Sequence, residues 1–575
     1  MTATDSRSLA HLLAQRDDAS LAALFATRQV APTVDWHDMF DAAEALLDAA
    51  LIERALGTLT RTDVDVLDAA VASGAVPAGP MRDAFFARAL VDADGVPYGA
   101  VARTLAGLVR VDAAVASSAA PAGTSGDALE AERAFAATGS LADILHIALS
   151  TPLARIGAGT LGAADRRRLI DLGAVDDAPA ADELVAIAEQ TGLIAGVERQ
   201  WLVTARGAAW LRTATLDRWL DVATALVANL PAAVRASAAR HGGWIPLVGW
   251  AGAYPFDASW PAMAERTAAL LRRWVIVDAT GAPATWSQPA AAGGSFDAAA
   301  LSLHLPPEVD RVYLQNDLTA IAPGALAPRV DIRLRTMARR ESRAQAASYR
   351  FTAESLGDAL TAGETAPSLR AFLLEISLTG LPQPLAYEIE RTASRHGSLR
   401  VGPDAQGRTR ITSDDATLLR TIAVDQVLRP LGLVHDGDAL TSRTGPDTAF
   451  WMLADARYPV VAVDADGIRR DLDRHRLAPD PAPSPDPVET YRDLLERLRA
   501  GASADADATW LGRELEQAVR ARATIVVAVQ LPDGTEREFT IEATGLGGGR
   551  LRGRDKNVDV ERTLPVSSIS SLRAG

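Results

Sequence analysis

Apolar residues in the first part of the chain recur at the three- and four-residue spacing of amphipathic helices. Within residues 8–28, an acidic break at Asp17 and Asp18, followed by Ser20, separates two such runs and indicates a helix end and the cap of the next helix. The apolar positions are Leu9, Leu12, Leu13, Leu21, Leu24 and Phe25. The pattern continues to about residue 70 and predicts a helical N-terminal region.

A second unit, residues 139–215, has the order of elements that is typical of a winged helix. Its pattern predicts a helix, a turn, a second helix and two short strands, around Val197 and residues 201–204. In a DNA-binding winged helix, the second helix enters a groove and the hairpin contacts the backbone. Here the second helix is acidic and the hairpin has one basic residue, which favours a spacer between proteins instead. These residues are Asp182, Glu183, Glu189 and Arg199.

Residues 216–300 are predicted to be helical and carry six scattered tryptophans, a distribution more typical of core packing than of base stacking. They are Trp219, Trp244, Trp250, Trp260, Trp274 and Trp286. From residue 301 onward, strands alternate with helices. A proline-rich segment, residues 478–491, is the clearest boundary. Beyond it, one or two helices and several short strands with a turn at residues 532–534 predict a small barrel.

These patterns predict an α+β multidomain protein. Its N-terminal half is mostly helical with winged-helix-like modules, an α/β domain follows, and a small SH3-like β-barrel ends the chain. The predicted domains are 1–138 (helical or winged-helix-like), 139–215 (winged-helix-like), 216–300 (helical and tryptophan-rich), 301–477 (α/β), 478–520 (proline-rich linker and helices) and 521–575 (barrel).

Length and composition restrict the class of protein. A chain of 575 residues requires several cores, because single cores stop growing at about 250–300 residues. The absence of cysteine excludes disulfides, thiolate zinc sites and cysteine nucleophiles. No apolar run approaches the roughly 18–20 residues of a membrane span, and the N-terminus lacks the pattern of a secretory signal. We therefore expect a cytoplasmic protein, with nucleoid association as an option and no membrane partner.

The charge balance is acidic, and its positive charges are almost all arginines. A net charge of −15 argues against a protein that wraps nucleic acid over its whole surface, although it allows a local basic patch. The one lysine in the sequence is Lys556. A high-GC genome explains this arginine bias more simply than selection for phosphate binding does.

Motifs for catalysis are missing from the sequence. There is no phosphate loop, since the glycine run at residues 547–549 is followed by Arg550, and no G-x-S-x-G turn. The histidines are far apart and have no metal-ligand spacing. We therefore predict no catalytic residues, no metal and no cofactor, and we place an enzyme of unrecognised type last among the alternatives.

Two arginine clusters and a basic tail are the candidate nucleic-acid contacts. An apolar stripe of Val330, Leu334, Met337 and Ala338 predicts a helix with its arginines outward. The guanidinium group suits phosphate oxygens, but a solvated helix face that pairs with nearby acids is an equally good interpretation. The candidates are Arg333, Arg335, Arg339, Arg340, Arg343 and Arg350, then Arg391 and Arg395, and in the tail Arg550, Arg552, Arg554 and Lys556.

Three segments in order carry a family resemblance. They contain Leu314, Gln315, Asp317 and Thr319; Tyr349, Arg350, Thr352, Ser355, Leu356 and Gly363; and Leu381, Pro382, Ile389, His396 and Gly397. Together they resemble the helicase-associated domain near the N-terminus of XPB-type DNA repair helicases, over about residues 301–467. The N-terminal segment and the β tail are similar to those of actinobacterial proteins that carry this domain without a motor. The tail is more loosely similar to the SH3-like end of WYL-type regulators.

The resemblance implies a role in sensing distorted or damaged DNA. Unwinding is not implied, because the phosphate loop and the acidic ATPase box of those helicases are missing. Our first hypothesis is a non-catalytic accessory protein in DNA repair or processing that binds forked, distorted or single-stranded DNA, or an XPB-type helicase. The alternatives are a transcription regulator with a ligand-sensing β tail and a pure protein-interaction scaffold. The polar corner at Asn316 and Asp317 is predicted to be a structural hairpin turn, not a catalytic loop.

Overall fold

The computed structural model has an α+β fold with helices and sheets in several units. It describes residues 3–111, 126–157, 159–235, 247–342, 347–470, 472, 476–480, 485–501, 506–531 and 535–574. Within these residues the strands form four sheets of four to six strands and one two-stranded sheet. The finer predictions of winged-helix modules and of an SH3-like tail stay predictions.

The N-terminal unit is helical, as its apolar spacing predicts. Asp17 caps the second helix by accepting a hydrogen bond from the Ser20 N–H, which confirms the predicted break. Leu9, Leu13 and Phe25 are buried in its core. The helices are α1 Ala3–Gln15, α2 Asp18–Thr27, α3 Met39–Leu46, α4 Ala49–Gly57, α5 Arg61–Ser73, α6 Pro80–Ala87 and α7 Gly99–Gly107.

The second unit contains the predicted helix–turn–helix and hairpin in sequence order. Its strands form an antiparallel sheet in the order β2-β1-β4-β3, and the hairpin pairs Val197 with Gln200. The long first helix, α8, packs its apolar side into the core of this unit. The elements are α8 Asp127–Ser150, β1 Leu153–Ile156, β2 Thr160–Leu161, α9 Ala163–Asp171, α10 Ala178–Gln190, β3 Ile194–Val197, β4 Gln200–Val203 and α11 Ala205–Trp210.

The tryptophan-rich helices share the core of the second unit, and five of the six predicted tryptophans are buried there. Trp219 and Trp274 each donate an indole N–H to the other's backbone carbonyl, at 2.9 and 3.0 Å. Trp244 lies outside the described residues. The five buried tryptophans therefore serve packing. The elements are α12 Thr215–Ala228, a 3-10 turn Leu247–Gly252, α13 Trp260–Arg273, a 3-10 turn Thr285–Ser287, α14 Gln288–Ala291 and α15 Ala298–Ser302.

The α/β region begins with a four-stranded antiparallel sheet in the order β6-β7-β10-β9, covered by helices. A short parallel pair, β5 with β8, lies beside it. The elements are β5 Glu308–Val309, β6 Tyr313–Leu314, β7 Thr319–Ile321, β8 Ala325–Leu326, α16 Pro328–Met337, β9 Arg339–Ser342, β10 Ser348–Arg350, α17 Ala353–Thr361, α18 Ala366–Ile376 and α19 Gln383–Arg395.

The same region continues into a six-stranded sheet with its own apolar core. Its order is β13-β14-β12-β11-β15-β16, and only the β11–β15 pair is parallel among the described strands of this sheet. The elements are β11 Leu399–Pro403, β12 Thr409–Ser413, α20 Ala416–Val424, a 3-10 turn Gln426–Leu431, β13 Val434–Asp436, β14 Ala439–Ser442, α21 Pro446–Asp455, β15 Val460–Val463 and β16 Arg469–Arg470.

After the proline-rich segment, the chain returns to the N-terminal unit. Leu494, Leu498 and Trp510 are buried in the N-terminal core, and the Tyr491 hydroxyl donates to the Val30 carbonyl at 2.7 Å. The helices between the linker and the tail therefore complete a core that the first 107 residues begin. They are α22 Pro487–Thr490, α23 Arg492–Ala500 and α24 Ala506–Arg520.

The tail is an antiparallel five-stranded sheet in the order β20-β19-β18-β17-β21. The predicted hairpin is present, since Gln530 pairs with Glu536, while its turn at residues 532–534 lies outside the described residues. Among the described strands β20 and β21 are the two edges, so the sheet is not closed into the barrel that the sequence suggested. The strands are β17 Thr524–Gln530, β18 Glu536–Gly547, β19 Arg550–Asp555, β20 Val560–Pro565 and β21 Ile569–Ala574, with a 3-10 turn Val566–Ser568 before the last.

One hairpin turn recurs in separate parts of the chain. Each begins with an aspartate whose carboxylate accepts the backbone N–H groups two and four residues later, at 2.8–3.0 Å. Each has a glycine at the fourth position with φ between 76° and 90°, a conformation that side chains disfavour. The turns are residues 92–95, 278–281, 404–407 and 464–467, with the sequences DADG, DATG, DAQG and DADG.

Candidate nucleic-acid interface

Helix α16 carries the first arginine cluster, and it is shorter than predicted. Val330, Leu334 and Met337 are buried as the apolar stripe requires, but the helix ends at Met337. Arg339 and Arg340 lie on strand β9, where they pair with β10. The prediction that the first helix extends through Arg339 and Arg340 is therefore wrong, because the sheet takes up the backbone hydrogen bonds after Ala338. Arg343 lies outside the described residues.

Arg335 and Arg340 point inward, contrary to the predicted outward face. Arg335 Nη1 lies 2.8 Å from Asp143 Oδ1, and Arg340 Nη2 binds the other carboxylate oxygen of Asp143. Side-chain exposure is 3% for Asp143, 12% for Arg335 and 20% for Arg340. Asp143 belongs to α8, so these ion pairs join the second unit to the α/β region. Two of the predicted phosphate ligands are thus occupied by one buried carboxylate.

The Asp143 contact is part of a larger buried network. The Tyr349 hydroxyl donates to Asp331 Oδ1 at 2.6 Å, and Asp331 also lies 3.5 Å from Arg335 Nη1. Burial and the Asp331 carboxylate raise the pKa of Tyr349 well above its ordinary value. For Arg340 burial acts to lower the pKa, but the Asp143 and Asp331 carboxylates outweigh it, so the net pKa is raised and the guanidinium stays charged.

Three more predicted arginines are engaged in ion pairs. Arg333 makes two bonds to Glu364, at 3.0 and 3.2 Å, and its guanidinium carbon lies 4.3 Å from the centre of the Phe372 ring. The other two pairs are Arg350 with Glu341 at 2.5 Å and Arg391 with Glu388 at 2.7 Å. These contacts match the alternative interpretation, in which arginines pair with nearby acids.

Arg339 and Arg395 have a different environment. Both are exposed, and within the described part of the chain neither forms an ion pair. Arg339 is the cross-strand partner of Arg350 on the sheet. Among the described candidates of the α/β region, these two side chains can therefore bind an external anion without first breaking an ion pair with a carboxylate.

In the tail, alternate residues of β19 face outward, which brings its arginines to one side of the sheet. Arg554 binds Asp559 at 2.5 Å, and Lys556 binds Glu542. Arg550 and Arg552 are exposed and form no ion pair among the described residues. We call these two residues the tail face.

The cross-strand neighbours of the tail face explain why its charges are uncompensated. Arg550 lies between Gly547 and Pro565, and Arg552 lies between Gly545 and Thr563. None of these neighbours carries a carboxylate. A Cβ added to Gly545 or to Gly547 would meet no atom within 4 Å, so the surface beside the arginines is open. The sequence showed the alternation of arginines on β19 but not which arginines have acidic neighbours.

The polar corner at residues 315–318 has the contacts of a hairpin turn. Tyr313 pairs with Ile321, and the Thr319 hydroxyl donates to Asp317 Oδ1 at 2.5 Å and to Gln315 Oε1 at 3.1 Å. The carboxylate of Asp317 is thus held by its own turn. No group of three or more metal-ligating side chains occurs in the part of the chain that the structure describes. Within that part, no helix has the length and apolarity needed to cross a bilayer.

Comparison with known families bears on the α/β region. Residues 312–436, from β6 to β13, match a family model described as a helicase conserved C-terminal domain. No curated protein matches the chain. The matched residues lie within the region that resembles a helicase-associated domain, and they include all the candidate arginines outside the tail. The chain is therefore similar to a helicase C-terminal domain over about a fifth of its length.

Proposed function

We propose that this protein is a non-catalytic accessory factor of a DNA-processing helicase and that it binds DNA through the tail face. The match at residues 312–436 relates the chain to helicases. The observation that carries the DNA contact is the tail face itself, where Arg550 and Arg552 are exposed and have no carboxylate neighbour across either strand. An exposed guanidinium without a partner binds phosphate without first giving up an ion pair.

The ion-paired arginines of the α/β region are less suited to bind DNA phosphates. Arg335 and Arg340 hold a buried carboxylate, and a phosphate would have to displace it. Arg339 and Arg395 complete the proposed interface as secondary contacts. The proposal thus keeps the predicted class of ligand but shifts its principal residues from α16 to β19.

The finer parts of the proposal concern the helicase and the DNA form. We place the protein beside an XPB-type helicase in DNA repair or processing, in the cytoplasm or at the nucleoid. The substrate is forked, distorted or single-stranded DNA. The helix–turn–helix and hairpin of residues 139–215 support a winged-helix module, and its acidic second helix favours contact with a protein over a groove.

Fluorescence anisotropy of the full chain on duplex, forked and single-stranded DNA tests the proposal. We expect binding that is tightest on the forked DNA and that weakens in the variant Arg550→Gln/Arg552→Gln. The matched control is Arg391→Gln/Arg554→Gln, which removes the same charge from ion-paired, exposed positions. Equal loss in both variants would mean that net charge, not the tail face, determines binding.

A second candidate is a protein-interaction scaffold. It is favoured by the many arginine–carboxylate pairs of the α/β region and by exposed apolar side chains there, Leu374, Leu378 and Tyr387. Exposed apolar groups on a domain suit contact with another protein. This candidate predicts a stable complex with a helicase and no DNA affinity at moderate salt, so the same anisotropy series separates the two.

A further inference from the structure

A cavity lies between helix α16 and the second unit, beside the contacts that join them. Its volume is about 340 Å³, and its walls are Arg212, Arg329, Ile332, Arg333, Thr336, Ala362 and Glu364. The four residues from α16 have spacings of three and four, so they form one continuous side of that helix. Arg212 follows α11 and belongs to the second unit, and Glu364 follows α17. We call this cavity the arginine cleft.

The cleft has an excess of positive charge that its own carboxylate does not balance. Glu364 is already bound by Arg333 and by the Ser368 hydroxyl. Burial acts to raise the pKa of Glu364, but these hydrogen bonds and the Arg333 charge lower it overall, so the carboxylate is ionised and committed to them. Arg333 is further held against Phe372. Arg333 and Glu364 of the lining thus neutralise each other.

The other two guanidinium groups are less engaged. Arg212 donates to the carbonyl of Ala208 at 3.0 Å and forms no ion pair within the described ranges. Arg329 is 66% exposed, and its nearest carboxylate is Asp310 at 3.7 Å, itself 58% exposed. A contact of that length and exposure contributes little. The lining therefore offers two available cations from two different units.

We propose that the arginine cleft binds an organic phosphate monoester of about the size of a nucleotide. Guanidinium groups bind phosphate oxygens by charge-assisted hydrogen bonds, and two of them match a dianion. The cavity is larger than an inorganic phosphate requires and falls at the lower end of the range for small-molecule sites. Ile332 and Ala362 add apolar wall for the part of the ligand that carries the phosphate.

The phosphate has two possible sources with the same chemistry: a free nucleoside monophosphate, or the terminal nucleotide of a 5′-phosphorylated DNA strand. This inference is independent of the tail face, because no residue of β19 lines the cleft. The inference about the arginine cleft would therefore still hold if the tail face did not bind DNA.

Isothermal titration calorimetry of the full chain tests the inference with adenosine 5′-monophosphate, adenosine, and a short single-stranded DNA with or without a 5′-phosphate. We expect the monophosphate to bind and adenosine not to bind. Arg212→Gln and Arg329→Gln should each weaken binding about tenfold, the loss of one charge-assisted hydrogen bond. The control Arg520→Gln removes an exposed charge that does not line the cleft and should leave binding of the monophosphate unchanged.

The DNA probes identify the source of the phosphate. A strand end is the ligand if the 5′-phosphorylated DNA binds more tightly than the monophosphate and the cleft variants remove the advantage over 5′-hydroxyl DNA. A free nucleotide is the ligand if the monophosphate binds and the 5′-phosphorylated and 5′-hydroxyl DNA bind with the same affinity. The inference is overturned if the monophosphate gives no heat at millimolar concentration, or if the cleft variants bind it as well as the control does. Both substituted arginines are on the surface, so unchanged melting temperatures will show that the variants are folded.

Discussion

Replacing Asp143 with alanine removes the carboxylate that joins α8 to the α/β region. Arg335 and Arg340 would then keep their charges at a site where they are 12% and 20% exposed. Breaking a buried ion pair by removing one partner costs about 3–5 kcal/mol, because the remaining charge is left without compensation. Arg335 retains Asp331 at 3.5 Å, so we expect the lower end, about 3 kcal/mol.

Hydrogen–deuterium exchange measures this effect where it occurs. A multidomain chain does not unfold in one step, so a global melting curve would not isolate the contact. Loss of about 3 kcal/mol in local opening corresponds to roughly 100-fold faster exchange in α8 and β9. The control Arg350→Ala breaks a pair that is 43% and 40% exposed, which contributes only about 0–1 kcal/mol.

The outcome that would refute the reasoning is exchange in Asp143→Ala no faster than in Arg350→Ala. A triple variant, Asp143→Leu/Arg335→Met/Arg340→Met, provides a second check, because replacing all members of a buried ionic cluster by apolar residues is often neutral or stabilising. It should recover slow exchange if uncompensated charge is the cause. Continued fast exchange in the triple variant would indicate instead that the carboxylate acts through its shape.

The remaining predictions concern a buried acid and two helical glycines. Burial raises the pKa of Glu514 to about 8, an effect that the Arg7 charge reduces, so the folded state holds this proton more tightly than the unfolded chain does. The stability that the proton contributes is complete below about pH 4.5 and is lost as the pH rises through about 8. Glu514→Gln should remove this loss of stability, which urea titrations at a series of pH values would measure. A pH profile of stability that is the same in the variant and the wild type would contradict the assignment. Gly207→Ala should destabilise the second unit, since its Cβ would lie 2.1 Å from the Leu193 carbonyl oxygen. Gly357→Ala, in α17 with no atom within 4 Å of its Cβ, should stabilise that helix by about 0.5–1 kcal/mol. Hydrogen–deuterium exchange should therefore be faster in α11 of Gly207→Ala and slower in α17 of Gly357→Ala, and unchanged exchange in both variants would count against this reasoning.

Local signals in the sequence predicted much of the fold. The helical spacing around Leu13 and the Asp17 cap, the hairpin near Val197, and the buried tryptophans all follow from residues close in sequence. The repeated D-x-x-G turns were also visible as letters, and each could have been predicted as a hairpin from its aspartate and glycine.

Contacts between residues that are distant in sequence could not be predicted from the sequence. Asp143 lies 192 and 197 residues before the arginines that it binds, and nothing in the local pattern of either segment indicates the other. The same holds for Tyr491, which lies 461 residues after Val30. The prediction that the arginines of α16 face outward was wrong for this reason. Periodicity separates the apolar side of a helix from its polar side, but it does not show which polar residues contact a second unit.

The sequence identifies the arginines of the candidate interface, but it does not show which of them are free of a carboxylate partner. Arg554 and Arg552 are two residues apart on one strand, yet one binds Asp559 and the other has a glycine and a threonine as cross-strand neighbours. The register of the sheet makes that difference, and the spacing of arginines alone does not contain it. Arg212 was not among the candidates because no other arginine of the cleft is near it in sequence.

The salt dependence of DNA affinity tests the central claim most directly. Each phosphate contact contributes about 0.9 to the slope of log affinity against log salt on duplex DNA and about 0.7 on single strands. We predict that Arg550→Gln/Arg552→Gln lowers the slope on forked DNA by about 1.4–1.8 relative to the wild-type chain, while Arg391→Gln/Arg554→Gln leaves it nearly unchanged. A slope that is the same in the wild type and the tail-face variant would contradict the account.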